Sequence, residues 1–292
     1  MSQSFAPGGV AVITGGASGI GRAAARRAAQ AGMRIALVDV DGERLAQTAA
    51  ELHETIGRDQ VLTSTADVAD FSAMQDLAQQ VAARWGSPTL LMNNAAAFVS
   101  GGPGGILDAN ENWQRVFAVN VMGVVNGVQA FLPGMLAAGR PGVIVNTGSK
   151  QGLTNPPGNP AYNTSKAAVN AYTQNLARDL REGDGARDRR EGEGAGISAH
   201  LLIPGWTTTG TAEHRPGAWL PAQVIAHMEE AIAQDRFFIL CPDDDTPNDV
   251  DHKRIFWNAM DIIADRPALS RWHPDYKDDF AAFMAKDLPG KG

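Results

Sequence analysis

The sequence predicts an α/β fold, a doubly wound parallel sheet of seven strands with helices on both faces. Over the first ~240 residues, short and almost wholly apolar runs alternate with longer stretches of helical periodicity. Strands that are apolar on both sides belong to parallel sheets covered by helices on each face. Right-handed crossovers between such strands then wind the chain to both sides of the sheet.

Seven apolar runs are assigned as strands, at residues 10–13, 34–38, 61–66, 89–92, 142–146, 197–203 and 237–240. An alanine-rich helix ends near Gly32, and helical periodicity returns at about 41–56, 70–85, 110–138, 162–182 and 221–234. Beyond Cys241 the pattern predicts a helix to about Ala264 and a last short helix with Phe280 and Phe283. We therefore expect one domain over 1–292, with an extension at about 243–292 packed on the same core.

Composition limits the function classes. The net charge of −7 argues against a nucleic-acid partner, which requires a basic surface. Cys241 is the only cysteine, so an intrachain disulfide and a metal site of several thiolates are excluded, and no metal is expected. Residues 1–9 lack a signal pattern and no apolar run approaches membrane-span length. No membrane association and a cytoplasmic location are expected.

Two polar segments stand apart from this pattern. Residues 182–196, EGDGARDRREGEGAG, are charged and glycine-rich without apolar anchors, which predicts a solvated surface loop. The triplet at 243–245 consists of three aspartates. Such a triplet can bind a divalent cation, but a solvated turn before Pro247 is the favoured interpretation.

A glycine-rich turn, TGGASGIG at residues 14–21, follows the first strand and opens the first helix. In that context Gly15 permits a tight turn, Gly19 lets the backbone approach a pyrophosphate, and Gly21 permits close packing of helix on strand. The helix N-terminus offers free N–H groups and a partial positive charge to phosphates. The turn predicts a dinucleotide cofactor.

Asp39 ends the second strand, where a carboxylate can accept hydrogen bonds from both adenosine ribose hydroxyls and would repel a 2′-phosphate. Neither Gly16 nor Val40 supplies a basic side chain for such a phosphate. We therefore expect NAD(H) rather than NADP(H); a simple turn role for Asp39 is less favoured. Asp67 ends the third strand in the same way and is a candidate acceptor for the adenine amino group.

The fourth strand ends in Asn93, Asn94, Ala95 and Ala96. The small residues leave room for a cofactor, and the Asn94 side chain is expected to tie neighbouring strands together. All of these positions lie at the carboxyl ends of strands, where open parallel sheets bind ligands.

Ser149 closes the fifth strand, and Tyr162 and Lys166 follow four residues apart on one helix face. A free tyrosine has a pKa of about 10, and a nearby ammonium lowers it towards the range useful for acid–base catalysis. Tyr-x-x-x-Lys alone is a common helical spacing. Its place after a strand-end serine, downstream of a cofactor unit, makes it a candidate catalytic centre in which Ser149 binds the substrate oxygen and Tyr162 transfers the proton.

Over roughly residues 8–240 the chain resembles the short-chain dehydrogenase/reductase family. The matching motifs are TG-x-x-x-GIG at 14–21, Asn-Asn-Ala at 93–95, Asn-Val-Met-Gly at 120–123, Ser149, Tyr162-x-x-x-Lys166 and Pro204-Gly205. The resemblance implies a Rossmann fold with strand order 3-2-1-4-5-6-7 and usually a homodimer or homotetramer. Three departures are Ala96 where glycine is usual, the long 182–196 loop and the long tail.

The resemblance also implies site residues. The catalytic tetrad falls on Asn120, Ser149, Tyr162 and Lys166. By its position alone Asn120 is a helix-interior residue without chemistry; in the family it binds a water that relays protons to the lysine. Pro204, Gly205, Thr207 and Thr209 match the segment that contacts the nicotinamide. The full set expected at NAD(H) is Gly15, Ser18, Gly19, Ile20, Gly21, Asp39, Val40, Asp67, Val68, Asn94, Ala95, Ala96, Tyr162, Lys166, Pro204, Gly205, Thr207 and Thr209.

The expected activity is interconversion of a secondary alcohol and a ketone by hydride transfer. Residues 206–220 are expected to cover the substrate and residues 101–105 to form a flexible rim. Phe98, Trp206 and Trp219 suggest a bulky or aromatic substrate, whereas Trp257 and Trp272 in the tail are favoured as core or interface residues. Two rivals are a nucleotide-sugar epimerase or dehydratase, disfavoured by the glycine spacing and the short C-terminal region, and an NAD(H) sensor, disfavoured by the intact tetrad.

Overall fold

The computed structural model describes residues 4–98, 105–182, 196–209 and 213–288. Seven parallel strands form one sheet in the order β3-β2-β1-β4-β5-β6-β7, which confirms the predicted topology. The strands are β1 Val10–Thr14, β2 Arg34–Asp39, β3 Val61–Thr65, β4 Leu90–Asn93, β5 Gly142–Thr147, β6 Ile197–Ile203 and β7 Phe238–Leu240. Each end lies within one residue of its prediction. The expected 182–196 loop and 101–105 rim lie almost wholly outside the described residues.

Ten α-helices are found in the described part of the chain. They are α1 Gly19–Gln30, α2 Gly42–Ile56, α3 Phe71–Trp85, α4 Asn110–Phe117, α5 Gly123–Ala137, α6 Gln151–Thr154, α7 Pro160–Glu182, α8 Pro221–Ala233, α9 Asn248–Ile263 and α10 Lys277–Met284. The short α6 was not predicted, because four residues carry too little periodicity.

The two faces of the sheet form two separate cores. Successive residues of a strand point to opposite faces, so Ala11 and Ile13 pack under α1, α2 and α8. Val10 and Val12 pack under α3, α5 and α7 on the other face. This double coverage explains why strands β1, β4 and β5 are buried along their whole length.

The stretch predicted as one helix at 110–138 is interrupted. A π-helical turn, Ala118–Met122, separates α4 from α5. Such turns insert one residue into the helix and are frequent at functional sites. Here the insertion surrounds the fully buried Asn120. Periodicity alone did not indicate it, because one inserted residue barely changes the apolar pattern.

Asn110–Ala137 is also long and apolar enough to cross a membrane, with a mean hydropathy of 1.5 in its most apolar window. Half of that window is buried inside the protein. Val128, Phe131 and Met135 belong to the core beneath the sheet. The helix therefore has the character of a core helix.

The tail packs against the region that follows β5. The Asn258 side chain of α9 donates a hydrogen bond to the Leu153 carbonyl of α6 at 3.2 Å. Trp257 is buried, with its ring centroid 5.2 Å from those of both Phe280 and Phe283. As predicted, Trp257 is a core residue of the tail.

Candidate active site

A cavity of about 850 Å³ opens at the carboxyl ends of the strands. Parallel strands all end at this edge, so residues far apart in sequence meet there. Eighteen of the predicted site residues line it: Gly15, Ser18, Gly19, Ile20, Asp39, Val40, Asp67, Val68, Asn94, Ala95, Ala96, Ser149, Tyr162, Lys166, Pro204, Gly205, Thr207 and Thr209. The other two, Gly21 and Asn120, do not line the cavity.

The glycine-rich turn presents bare backbone to one end of the cavity. Gly19 has a φ of +53°, in the left-handed region that favours glycine. A Cβ on Gly21 would overlap the Gly15 carbonyl oxygen, so this contact between helix and strand requires glycine. The Ser18 side chain makes no capping hydrogen bond to α1. The first N–H groups of the helix therefore remain available to an anion.

Asp39 is oriented by the turn it faces. Its Oδ2 accepts a hydrogen bond from the Ala17 N–H at 3.0 Å, and its Oδ1 accepts one from the Asp41 N–H at 3.1 Å. These bonds anchor the carboxylate beside the glycine-rich turn, with oxygen lone pairs left to accept further hydrogen bonds.

Asp67 carries an ion pair that the sequence did not predict. Its Oδ2 lies 2.5 Å from Arg115 Nη1 of α4, and Arg115 lines the same cavity. Partial burial raises the pKa of Asp67, but the Ala69 N–H and the Arg115 guanidinium outweigh it, and the pKa is lowered overall. The expected adenine contact must share the carboxylate with Arg115. The pairing joins residues 48 apart, which local periodicity does not detect.

Asn94 ties three strands together, as predicted. Its backbone N–H donates to Thr14 Oγ1 at 2.9 Å, and its side-chain Nδ2 donates to the Thr14 carbonyl at 3.2 Å. Thr147 Oγ1 donates to Asn94 Oδ1 at 3.4 Å. The ends of β1, β4 and β5 are thereby fixed at the floor of the cavity.

Ser149 and Tyr162 meet at the other end of the cavity. Ser149 directly follows the Gly148 that leaves β5, and Tyr162 lies near the start of α7. Both line the cavity, and Ser149 lies near enough to lower the pKa of the Tyr162 phenol. Ser149 Oγ accepts a hydrogen bond from the Gln151 N–H at 3.2 Å. Two neighbouring hydroxyl groups at a cavity wall can bind one carbonyl or alcohol oxygen between them.

Lys166 does not lower the pKa of Tyr162 as expected. Burial raises the pKa of the Tyr162 phenol, and the hydrogen bond with Ser149 lowers it by less, so the pKa lies above its usual value. Burial lowers the pKa of Lys166 to about 8. Lys166 Nζ donates to the Thr147 carbonyl at 2.8 Å and lies 5.6 Å from the Tyr162 ring centroid. The ammonium is directed at the carbonyl oxygen, which explains why desolvation dominates.

Asn120 lies behind the cavity wall. Its side-chain oxygen accepts a hydrogen bond from the Ala97 N–H at 2.7 Å, and its Nδ2 donates to the Ala97 carbonyl at 3.1 Å and to Ser165 Oγ at 3.0 Å. It therefore joins the segment after β4 to α7, three residues from Tyr162. Position in the chain alone assigned Asn120 no role, whereas these bonds give it a structural one; its place in the catalytic tetrad and the water relay implied by the family stay predictions.

Two aromatic side chains border the reactive end. Phe98 packs edge-on against Tyr162 with a centroid separation of 5.1 Å, and both Phe98 and Trp206 line the cavity. Trp219 does not line it. Its indole N–H donates to Asp244 Oδ1 at 3.2 Å, and its ring lies 5.8 Å from that of His227. The expectation that Trp219 faces the substrate is therefore corrected.

The aspartate triplet forms the predicted solvated turn before Pro247 at Asp244 and Asp245, which are both exposed. Asp243 differs: it is only 6% exposed and pairs with Lys150, at 2.8 Å between Nζ and Oδ2. Within the described ranges no group of three or more His, Cys, Asp or Glu side chains is placed to bind a metal ion. Lys150 follows Ser149 directly, yet nothing local in the sequence indicates a partner 93 residues away.

Comparison with known proteins agrees with this architecture. A structure from Burkholderia phymatum, a short chain dehydrogenase/reductase in complex with NAD, has a TM-score of 0.74 and 32% identity, and the alignment covers 90% of this chain and 96% of that one. The 1-deoxy-11-beta-hydroxypentalenate dehydrogenase of Streptomyces exfoliatus is 31% identical over 270 residues, covering 90% of this chain and 93% of the relative.

Other matches are shorter or carry a different cofactor. SadH of Mycobacterium tuberculosis is 40% identical over 175 residues, and the alignment covers 59% of this chain and 61% of SadH. Solved relatives also include complexes with NADP. Residues 9–215 match the family described as short chain dehydrogenase. The chain therefore belongs to the short-chain dehydrogenase family of oxidoreductases.

Proposed function

We propose that this protein is an NAD(H)-dependent oxidoreductase that interconverts a secondary alcohol and a ketone. The observation that carries the proposal is that the hydroxyl groups of Ser149 and Tyr162 line the same cavity as a bare glycine-rich turn. A paired hydroxyl donor and acceptor suits one reacting oxygen. A phosphate cradle in the same cavity suits a dinucleotide that reaches this oxygen.

The residues at the cradle fit a dinucleotide. The uncapped start of α1 and the turn around Gly19 would hold the pyrophosphate, and Asp39 would accept hydrogen bonds from the adenosine ribose. Thr207 and Thr209 would lie beside the nicotinamide, which supplies or accepts the hydride when bound.

Preference for NAD(H) rests on charge. Three cations line the cavity within the described residues, and each already faces an oxygen: Arg115 that of Asp67, Lys150 that of Asp243, and Lys166 the Thr147 carbonyl. A 2′-phosphate beside Asp39 would lie next to a carboxylate, and none of these three cations would be available to pair with the phosphate. This arrangement of charge disfavours NADP(H).

The proton path follows from the same geometry. In ketone reduction the Ser149 hydroxyl donates a hydrogen bond to the carbonyl oxygen, and the Tyr162 phenol transfers its proton to that oxygen as the hydride arrives at carbon. Lys166 is protonated at neutral pH, since burial lowers its pKa only to about 8. Its ammonium donates to the Thr147 carbonyl and does not lower the pKa of Tyr162, so its role here is to fix the end of β5 beside the phenol. Alcohol oxidation runs in reverse, with the phenolate as base.

The substrate end favours an apolar substrate. Phe98 is 57% exposed and Trp206 46% exposed at the cavity rim. Such aromatic surfaces bind apolar or aromatic groups. The similarity to a hydroxypentalenate dehydrogenase is consistent with a bulky hydroxyl-bearing substrate.

The test compares two tyrosines of α7. We expect Tyr162→Phe to fold and bind NADH with the wild-type Kd, but to lose turnover by about 10²- to 10⁴-fold, because general acid–base catalysis contributes that much. Tyr172→Phe, the matched control on the same helix, should retain turnover. Rates are followed by NADH absorbance over a panel of bulky ketones and secondary alcohols. Unchanged turnover in Tyr162→Phe would remove this residue from the mechanism.

A wild-type protein that binds NADH tightly but turns over nothing in a broad panel would favour the sensor instead. The Ser149–Tyr162 pair would then have a structural role only, and the two tyrosine variants should behave alike in every binding assay.

A further inference from the structure

A buried ion cluster lies directly behind the catalytic serine. It consists of Lys150, Asp243 and Asp251, with Lys150 Nζ 2.8 Å from Asp243 Oδ2 and 2.5 Å from Asp251 Oδ2. The three side chains are 13%, 5% and 2% exposed, respectively. Lys150 belongs to the serine loop after β5, whereas both carboxylates belong to the tail beyond Cys241.

The cluster also reaches the loop that follows β6. Asp243 Oδ2 accepts a hydrogen bond from the Trp206 N–H at 3.1 Å. A Cβ on Gly205 would lie 2.7 Å from Lys150 Nζ and would overlap the Asp243 carboxylate. The Lys150 N–H donates to the Pro204 carbonyl at 3.4 Å. The serine loop, the Pro204–Trp206 loop and the tail thus converge on one carboxylate.

The next aspartate fixes the far end of the segment over the cavity. The Asp244 N–H donates to the Gly217 carbonyl at 3.0 Å, and Asp244 Oδ1 accepts from the Trp219 indole N–H at 3.2 Å. The two ends of residues 206–220 are joined as well, because the Trp219 N–H donates to the Trp206 carbonyl at 2.9 Å. The triplet therefore anchors both ends of this segment.

Net stability does not explain such a cluster. Lys150 faces both carboxylates, Arg254 Nη1 also lies 3.8 Å from Asp251 Oδ1, and burial still raises the pKa of Asp251 despite both cations. Desolvation offsets most of the attraction in buried ion pairs, so they contribute little to folding but strongly favour one geometry. Removing one partner leaves a buried charge uncompensated, which destabilises the arrangement around it.

We infer that Asp251 and Asp243 are positioning residues: through Lys150, the tail fixes Ser149 and the Pro204–Trp206 loop relative to each other. Neither carboxylate touches the reacting atoms: Asp251 acts through Lys150, and Asp243 acts through Lys150 and the Trp206 N–H. The catalytic consequence rests on the proposed function, whereas the ordering of the loops does not.

The experiment compares two carboxylates of α9 by hydrogen–deuterium exchange of the full chain. Asp251→Asn weakens the Lys150 cluster. Asp261→Asn is the matched control, because Asp261 is also buried but pairs with Arg266 at 2.9 Å and with Ser270, within the tail. We expect at least about tenfold faster exchange at residues 147–154 and 204–208 in Asp251→Asn only. Unchanged exchange, or equal acceleration in both variants, would overturn the inference.

Turnover supplies a second readout with the best ketone of the panel. In Asp251→Asn we expect kcat to fall about tenfold, since misplacing a catalytic group by about 1 Å costs one to two orders of magnitude. The deuterium isotope effect from labelled NADH should rise, while the NADH Kd stays within about twofold. A merely smaller folded fraction would lower kcat without changing the isotope effect.

The two proposals fail separately. If the wild type turns over no ketone, the proposed function fails, and hydrogen exchange still decides the positioning role. If Asp251→Asn does not fold, Asp243→Asn is compared with Asp261→Asn in the same way, since an asparagine there can still accept from the Trp206 N–H.

Discussion

Lys166 provides a quantitative test of the buried charge at the candidate site. Its side chain is almost wholly buried, and burial lowers its pKa from 10.5 to about 8. The folded state therefore binds this proton less tightly than the unfolded chain does. The sign is opposite to that of a lysine in a salt bridge: the buried charge costs stability at neutral pH, and the cost falls as the pH rises through the interval from about 8 to 10.5.

The magnitude follows from linkage. A lowering from 10.5 to about 8 corresponds to about 3 kcal/mol of unfolding free energy at pH 7. At about pH 9.5, where most of the unfolded-state lysine remains charged and the folded-state lysine is neutral, about 1 kcal/mol of the cost remains. Lys166→Met removes this dependence. From pH 7 to about pH 9.5, the free energy of unfolding of the wild type should therefore rise by about 2 kcal/mol relative to that of the variant.

The assay is urea denaturation followed by tryptophan fluorescence, without cofactor, at both pH values. Loss of the hydrogen bond to Thr147 affects both measurements alike, so the difference between them isolates the charge. Lys253→Met is the matched control, because Lys253 Nζ also donates to a backbone carbonyl, that of Met284 at 2.9 Å, but the side chain is only partly buried. If the difference in unfolding free energy between wild type and Lys166→Met does not change with pH, the inference of a buried charge on Lys166 is refuted.

Three further predictions concern the cofactor, the substrate oxygen and the core. Asp39→Ser should raise the Kd for NADH about tenfold in a fluorescence titration without weakening NADPH, since one charged hydrogen-bond acceptor is lost; tighter binding of NADPH than NADH to the wild type would contradict the role of Asp39. Ser149→Ala should lower kcat about 10²-fold with an unchanged NADH Kd, and an equal loss of NADH binding would assign Ser149 to the cofactor. Gly127→Ala should lower the free energy of unfolding by about 2 kcal/mol, because the new Cβ would overlap the Asn93 side chain. That side chain donates a hydrogen bond to Asn146 at 2.9 Å, which the overlap would disturb. An unchanged urea midpoint would show that the core relaxes without cost.

The sequence predicts best what depends on local pattern and strand direction. Buried strands are continuous apolar runs, so their ends were placed to within a residue. Asp39 ends β2, and Ser149 follows β5. Because the carboxyl ends of parallel strands meet at one edge of a sheet, the sequence predicted that both residues lie there, and both line the cavity.

What the sequence could not predict depends on pairs distant along the chain. The Arg115 partner of Asp67 and the Asp243 partner of Lys150 are 48 and 93 residues away. The π-helical turn at Asn120 arises from tertiary bonds to Ala97 and Ser165, not from helix propensity. The pKa of Tyr162 is raised because its side chain is buried, and the four-residue spacing to Lys166 does not reveal that burial.

The Lys150 cluster has a consequence for how the protein is made. The serine loop is synthesised before its ionic partners at 243 and 251, the first of which lies 93 residues after Lys150. Until then Lys150 has no carboxylate from the tail, and closing a contact of 93 residues is slow. A chain that stops before residue 243 would thus carry the glycine-rich turn but not the ion cluster that we infer to position Ser149.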